Sequence, residues 1–146
     1  MELSIKLSDP LCMPTRANRT DAGLDLRSNH PSFFLLPHET KLIDTGLAVK
    51  IPEGYAGLVF ARSGMGKFNV SPANCVGIID SDYRGNIKIN LHNYSLMSFE
   101  IPQYFRIGQL VITPILLPTL VESTESDADW LSTSRGAGGF GSTGNT

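Results

Sequence analysis

Residues that cross-link small proteins, or that bind nucleic acids through charge, are scarce in this sequence. Only two cysteines, Cys12 and Cys75, occur among the 146 residues, and they form no CxxC pair. We therefore expect two free thiols in a reducing cytoplasm rather than a disulfide framework or a zinc site. Twelve basic and fourteen acidic residues give a net charge of −2. Broad binding to nucleic acid, which relies on many phosphate contacts and a basic patch, is not expected.

The sequence also lacks a long hydrophobic run. Its longest apolar stretch, residues 109–121, contains Pro114 and Pro118 and is too short to span a bilayer. The first residues show no apolar signal core. We therefore expect a cytoplasmic protein without a membrane partner.

Windows in which a helix could run unbroken are rare, because nine prolines and fourteen glycines are scattered along the chain. The length corresponds to one domain. Ile87, Ile89 and Leu91 alternate with polar residues, as a half-buried strand requires. Many short strands of this kind indicate an antiparallel sandwich, barrel or jelly roll. The expected strands cover residues 41–50, 56–61, 87–91 and 109–117, and residues 63–68 leave room for one helical turn.

The C-terminal end differs in composition from the rest. Residues 122–134 are acidic and serine-rich and are interpreted as a linker, in which Trp130 would pin the chain to the body or to a neighbouring subunit. In residues 135–146, five glycines surround Arg135, Phe140, Ser142 and Thr143. Glycine-exposed amides with an arginine and hydroxyls suit a polyanion, so this tail is either a phosphate-binding lid or a disordered terminus. The predicted body is residues 1–121.

Polar residues interrupt two further strand-like segments. Residues 77–85 are interpreted as a hairpin that carries Asp80 directly after two aliphatic residues. Asp80 is either a turn residue that caps backbone amides or a partly shielded carboxylate that deprotonates a water. Residues 61–67 place Arg62 and Ser63 beside glycines, which gives a second candidate anion site or an ordinary loop.

The sequences of five segments, and their order along the chain, resemble the motifs of the trimeric dUTPase family. They are DAGLDL at residues 21–26, ARSGMGKF at 61–68, GIIDSDYRG at 77–85, RIGQLVI at 106–112 and RGAGGFGSTG at 135–144. The resemblance implies an all-β, distorted jelly-roll (β-clip-like) domain that assembles as a homotrimer. Its active sites would form between subunits, with the C-terminal arm of one chain closing over a site built by others.

The resemblance also implies a reaction and roles for the residues. Asp80 would be the catalytic base that activates water for attack on the α-phosphorus of dUTP, releasing dUMP and pyrophosphate. This activity would limit uracil in DNA and supply dUMP for thymidylate synthesis. Tyr83 would lie against the deoxyribose and Phe140 would stack on uracil. The remaining substrate-binding positions implied are Arg62, Ser63, Gly64, Asn74, Gly77, Ile78, Ile79, Lys88, Gln109, Arg135, Gly141, Ser142 and Thr143.

Mg²⁺ is the cofactor that the resemblance implies. Mg²⁺ often binds mainly through substrate phosphates, so the lack of a ligand cluster in the sequence does not exclude it. Asp25 is the carboxylate expected near the water shell of the metal, with a structural hydrogen-bonding role as its alternative. Phe105 stands where the family frequently has an acidic residue, and Arg106 is expected to serve the subunit interface more than the substrate.

Two other functions remain open from the sequence. One is a dCTP deaminase of the same superfold, although the segment from Asp80 to Tyr83 and the glycine-rich arm match the dUTP-hydrolysing branch. The other is a nucleotide-responsive binding protein whose arm orders on dUTP and changes a surface that a partner protein recognises.

Overall fold

Short strands make up most of the regular structure in the computed structural model, which describes residues 2–139 and 142. Two compact units divide the chain at residues 116 and 117. The first unit contains the strands β1 Ser4–Leu7, β2 Leu24–Arg27, β3 Phe33–Leu35, β4 Thr40–Asp44, β5 Leu47–Lys50, β6 Tyr55–Phe60, β7 Val70–Pro72, β8 Gly77–Ile79, β9 Lys88–Asn93, β10 Phe99–Ile101 and β11 Arg106–Pro114.

Helices are few and short in the described part of the chain. A 3-10 helix covers Pro10–Cys12, and helix α1, Ser63–Gly66, follows β6 where one helical turn was expected. Helix α2, Asp127–Trp130, lies in the second unit within the predicted linker, and Ser126 caps its N-terminus. No helix among the described residues is long and apolar enough to cross a membrane.

The strands form four antiparallel sheets. The largest has the order β2-β11-β6-β8, and a three-stranded sheet has the order β4-β9-β7. Two-stranded sheets join β1 to β5 and β3 to β10. The prediction of a mostly β chain with antiparallel pairing is therefore confirmed.

One hydrophobic core lies beneath these sheets. Ile87, Ile89 and Leu91 are all buried, whereas Lys88 and Asn90 between them are exposed, so the predicted alternation is confirmed. Burial of such aliphatic side chains is the main favourable contribution to folding. Other members of the core are Leu26, Leu35, Ile43, Leu47, Met65, Val70, Ile101, Ile107 and Leu110.

Two local predictions are wrong. The strand expected over residues 41–50 is split into β4 and β5, because Gly46 adopts a left-handed φ of 67° that a strand cannot contain. The hairpin expected over residues 77–85 does not form either. β8 pairs with β6, whereas β9 pairs with β4 and β7, so residues 80–87 connect two different sheets.

Candidate active site

Three of the five motif segments meet in the largest sheet. Asp25 on β2 lies opposite Gln109 on β11, and Gln109 lies opposite Phe60 at the end of β6. The chain continues from Phe60 through Arg62 into helix α1, so these polar residues converge at one end of three adjacent strands. They line a pocket of about 300 Å³ whose polar residues include Asp21, Asp25, Arg62, Ser63 and Gln109.

A buried carboxylate organises the charge of this pocket. Asp25 is 9% exposed and accepts two hydrogen bonds from Arg62, from Nε at 2.6 Å and from Nη2 at 3.2 Å. Nη1 of Arg106 donates to Oδ2 of the same carboxylate at 3.0 Å. Two guanidinium groups therefore face the Asp25 carboxylate, while the carboxylate of Asp21 also lines the pocket, so the formal charges of these four side chains balance. The Arg62 guanidinium keeps N–H groups that Asp25 does not use and that suit an anionic ligand. The bidentate pair also fixes the plane of the Arg62 guanidinium.

Gln109 is held beside this charged group. Its Nε2 donates to the carbonyl oxygen of Ala61 at 2.9 Å. A Cβ atom at Gly23 would collide with the Gln109 side-chain carboxamide, so a larger residue there would displace Gln109 from this position. The sequence assigned no role to Gly23 or Asp21, although both stand in DAGLDL and both line the pocket.

The segment that carries Asp80 lies elsewhere in the same sheet. Asp80 follows β8, its carbonyl oxygen accepts a hydrogen bond from the Tyr83 N–H at 3.2 Å, and its side chain is exposed. Asp80 therefore begins a turn, as predicted, but in the described residues of the single chain its carboxylate neither caps a backbone amide nor is partly shielded. The Tyr83 hydroxyl donates to the carbonyl oxygen of Asn86 at 2.8 Å.

The strand register separates Asp80 from Arg62. Ile79 lies opposite Gly57, so Asp80 follows near the start of β6, whereas Arg62 lies beyond the end of that strand. With about 3.3 Å per residue, the two positions are about 20 Å apart along the sheet. Neither Asp80 nor Tyr83 lines the pocket of Arg62 and Ser63. One chain thus does not bring these predicted site residues together.

The residues predicted to bind the uracil base lie in or beside two different sheets. Gly77, Ile78 and Ile79 form β8, an edge strand whose outer row of backbone groups has no partner strand among the described residues. Asn74 precedes this strand, and the Ile78 side chain is 67% exposed. Lys88 begins β9 in the three-stranded sheet and is exposed.

The predicted arm is only partly described. Arg135 is exposed, and its Nε donates to the carbonyl oxygen of Gly138 at 2.9 Å. Ser142 is exposed as well, and its N–H donates to the carbonyl oxygen of Gly139 at 3.1 Å. The predictions for Phe140, Gly141 and Thr143 fall outside the described residues.

Metal-ligand and thiol chemistry leave little trace in the described part of the chain. Residues 2–139 and 142 contain no cluster of three histidine, cysteine or acidic side chains that could hold a metal ion. Cys12 and Cys75 are both free thiols, as predicted. Burial raises the pKa of the Cys12 thiol, and the nearby carboxylates of Asp9 and Asp44 raise that pKa further. Cys12 is therefore a neutral core residue at neutral pH and not a nucleophile.

Known proteins resemble this chain in sequence and fold over nearly their whole length. A deoxyuridine 5′-triphosphate nucleotidohydrolase of Escherichia phage T5 is 42% identical over 151 aligned positions, which cover 97% of this chain and 98% of the phage protein. The solved dUTPase of Staphylococcus bacteriophage 80alpha with dUPNHPP is 34% identical, with a TM-score of 0.86 and coverage of 98% of each chain.

A second solved structure concerns a metal. It is a mutant dUTPase from phage phi11 of S. aureus, described as revealing the coordination of a structural Mg(II) ion. It is 30% identical, with a TM-score of 0.79, and the match covers 86% of this chain and 99% of that one. The dUTPase family model itself matches residues 9–144. The chain belongs to the dUTPase family.

Proposed function

We propose that this dUTPase hydrolyses dUTP to dUMP and pyrophosphate with Asp80 as the general base. Asp80 accepts a proton from a water whose oxygen attacks the α-phosphorus in line. The bond from the α-phosphorus to the bridging oxygen breaks, and pyrophosphate leaves with that electron pair. The observation that carries the proposal is the pocket of hydrogen-bond donors that three motif segments build, with Asp25 holding Arg62 beside Ser63 and Gln109.

This pocket is proposed to bind the phosphate chain. Asp25 fixes the guanidinium of Arg62 through two hydrogen bonds, so the donors of Arg62 are oriented before the substrate arrives. Ser63 and Gly64 begin helix α1 and add a hydroxyl group and backbone amides. Fixed donors around the phosphates stabilise the charge that moves to the leaving group without reorganising in the transition state.

The segment after β8 is proposed to recognise the nucleoside. The open backbone edge of Gly77, Ile78 and Ile79 offers N–H and C=O groups to the uracil edge. Asn74, which lies near Gly77, and Lys88 of the three-stranded sheet are proposed to complete this base site. A narrow slot of this kind excludes the extra methyl group of thymine. Tyr83 lies against the deoxyribose and leaves no room for a ribose hydroxyl.

The site is proposed to form between the subunits of a jelly-roll homotrimer. A general base must be within hydrogen-bond reach of the attacking water, directly or through another water. The separation of about 20 Å between Asp80 and Arg62, inferred from the strand rise, is too large for one chain to supply both groups to one phosphate. Asp80 of one copy therefore acts on a phosphate chain that Arg62 of another copy binds.

The C-terminal segment is proposed to close this site as an arm over residues 135–146. Arg135 adds a positive charge to the β- and γ-phosphates, and Ser142 and Thr143 add hydroxyl donors. Phe140 stacks on the base, and Gly141 provides a backbone contact. The exposure of Arg135 and Ser142 supports this role, because both are accessible to a ligand.

The pocket fits Mg²⁺ only through water and substrate phosphates. Both oxygens of Asp25 accept hydrogen bonds from guanidinium groups, so this carboxylate suits a contact with metal-bound water better than direct ligation. Mg²⁺ usually keeps several waters and binds triphosphates in this way. When bound, it neutralises charge on the phosphate oxygens.

Pyrophosphate release with Mg²⁺ tests the reaction. Purified protein is assayed with dUTP, UTP, dTTP and dCTP in separate reactions, beside the Asp80→Asn variant. We expect release from dUTP that this variant loses while its circular dichroism spectrum is unchanged. Full activity of Asp80→Asn would remove Asp80 as the base, and ammonia release from dCTP without dUTP cleavage would establish a deaminase instead.

A second candidate function is nucleotide-dependent recognition of a partner protein. It is favoured by the relative from phage 80alpha, since phage dUTPases of that kind are described as controlling transfer of virulence genes by a proto-oncogenic G protein-like mechanism. Affinity capture with dUPNHPP, with dUMP and without nucleotide tests it. Capture that does not depend on the nucleotide would contradict this function.

A further inference from the structure

We propose that Asp44 and Asn86 are positioning residues that set the sugar specificity of this enzyme by holding Tyr83 in place. Neither residue has a role in the mechanism above. The inference rests on the proposed contact of Tyr83 with the deoxyribose.

The orientation of the Tyr83 ring depends on residues 85 and 86. The Tyr83 hydroxyl donates to the carbonyl oxygen of Asn86 at 2.8 Å. A Cβ atom on Gly85 would lie 2.5 Å from that hydroxyl oxygen and 2.8 Å from Cζ, so the end of the ring packs directly against Gly85. The ring is 41% exposed, and these local contacts therefore decide where it points.

The side chain of Asn86 is held by a carboxylate on another strand. Its Nδ2 donates to Asp44 at 3.1 Å for Oδ1 and 3.2 Å for Oδ2, and it lies 3.0 Å from the Ser8 hydroxyl oxygen. Asp44 ends β4, and its Oδ1 also accepts the N–H of Gly46 at 2.6 Å. The carboxylate thus joins the tight turn between β4 and β5 to the segment that carries Tyr83.

The same turn anchors the next residue through buried contacts. The backbone N–H and the hydroxyl of Thr45 donate to the carbonyl oxygen of Ile87 at 3.0 and 2.8 Å, and the Ile87 N–H donates to Leu47 at 2.7 Å. Thr45 and Ile87 are both fully buried. Residues 86 and 87 are therefore fixed to the core, whereas residues 82–85 before them are exposed.

Among the described residues, Asp44 makes the only side-chain contact that ties Asn86 to β4. Without it, Asn86 keeps its contact with the Ser8 hydroxyl and its backbone restraints but loses its tie to β4, so the carbonyl group that orients Tyr83 is held less firmly and the ring gains freedom to move away from the sugar. A ring that moves admits the 2′-hydroxyl of a ribonucleotide. The proposed uracil site at β8 is formed by other residues, so loss of the Asp44 contact leaves it unaffected.

The test compares kcat/KM for dUTP, UTP and dTTP in Asp44→Asn, Asn86→Ala and Tyr83→Phe. In Asp44→Asn, the new amide N–H₂ group faces the Asn86 donor, so that contact is weakened without a change of side-chain size. We expect the dUTP-to-UTP ratio of kcat/KM to fall about fivefold in each variant, the effect of losing one hydrogen bond worth about 1 kcal/mol. The dUTP-to-dTTP ratio should stay unchanged.

Glu39→Gln is the matched control. Glu39 also accepts a backbone N–H in a turn, that of Leu36 at 2.7 Å, and its side chain forms no hydrogen bond with residues 80–87 in the described structure. The sugar discrimination of Glu39→Gln should therefore equal that of the wild type. The double variant Asp44→Asn with Tyr83→Phe should discriminate no worse than either single variant, because both changes break one chain of contacts. Additive losses would show that Asp44 does not act through Tyr83.

Melting temperatures and the activity of the wild-type protein distinguish a variant that does not fold from a failure of this inference and from a failure of the proposed function. Melting temperatures show which variants fold, and if Asp44→Asn does not fold, Asn86→Ala and Tyr83→Phe decide. Folded variants that keep the wild-type dUTP-to-UTP ratio would overturn the inference and leave dUTP hydrolysis intact. A wild-type protein that cleaves neither nucleotide would instead overturn the proposed function.

Discussion

Asp25 shows how one side chain links folding to function. A buried carboxylate is costly unless it is paired, and here Arg62 and Arg106 supply three hydrogen bonds to it. The exposed fractions of the arginine side chains are 25% for Arg62 and 44% for Arg106, so both remain accessible to a ligand. The same contact therefore satisfies the carboxylate and orients a donor in the pocket proposed to bind phosphate.

Asp25→Asn should weaken both stability and catalysis. The amide cannot accept two donors from Arg62, so we expect the free energy of unfolding to fall by about 1–3 kcal/mol. Loss of the fixed guanidinium should lower kcat/KM for dUTP by about 10- to 100-fold. Urea denaturation and steady-state kinetics measure the two effects.

Asp21→Asn provides the control for that variant. Asp21 lines the same pocket, but its carboxylate accepts hydrogen bonds from Asn18 rather than from arginine. Its kcat/KM should therefore fall much less than that of Asp25→Asn. Equal losses in the two variants would mean that the charge of the pocket matters and the orientation of Arg62 does not.

Individual site residues could be predicted where they stand in a family motif, but the contacts between them could not. Arg62, Ser63 and Gln109 were all named as substrate-binding positions from the resemblance, and the sheet brings them to one pocket. The contact between Arg106 and Asp25 joins residues 81 positions apart, and local sequence contains no signal for such a pair. Asp44 was hidden for the same reason, since its partner Asn86 lies on a distant segment.

At the scale of elements, the alternation of apolar and polar residues predicted a strand correctly, whereas closeness in sequence did not predict which strands pair. β9 was predicted from its period of two, which follows directly from burial of one face. The break between β4 and β5 was missed, because the run of residues 41–50 remains strand-like in composition on both sides of Gly46. The expected hairpin was wrong, because neighbouring strands in sequence can join different sheets.

Removal of residues 135–146 should leave the body folded and the enzyme nearly inactive. Among the described residues, the buried hydrophobic core extends no further along the chain than Leu110, so the described part of the deleted segment contributes no core side chain. The melting temperature should be unchanged, and kcat/KM for dUTP should fall by about 100-fold or more, because oriented donors to the phosphates are lost. Size-exclusion chromatography with light scattering should show the proposed trimer for both the full chain and the truncated chain. A truncated chain that is monomeric or unfolded would contradict this division of roles.

At the scale of the whole molecule, the strand register is the strongest argument for a shared site. Asp80 and Arg62 belong to the same sheet but lie toward opposite ends of β6, about 20 Å apart by the strand rise. The fold therefore separates the proposed base from the proposed phosphate pocket within one chain. Closed cyclic symmetry repeats both parts around an axis, which lets the base of one copy meet the pocket of the next.

A subunit-mixing experiment tests this claim most directly. Asp80→Asn and Arg62→Ala proteins are each purified, unfolded together in equal amounts, refolded and assayed for pyrophosphate release from dUTP. If each site takes its base and its Arg62 from different copies, random trimers contain about one quarter of sites without either substitution, and about one quarter of wild-type activity should return. Each variant refolded alone should remain inactive. A mixed sample that forms trimers and stays as inactive as its components would show that one chain supplies both residues, and it would contradict the account.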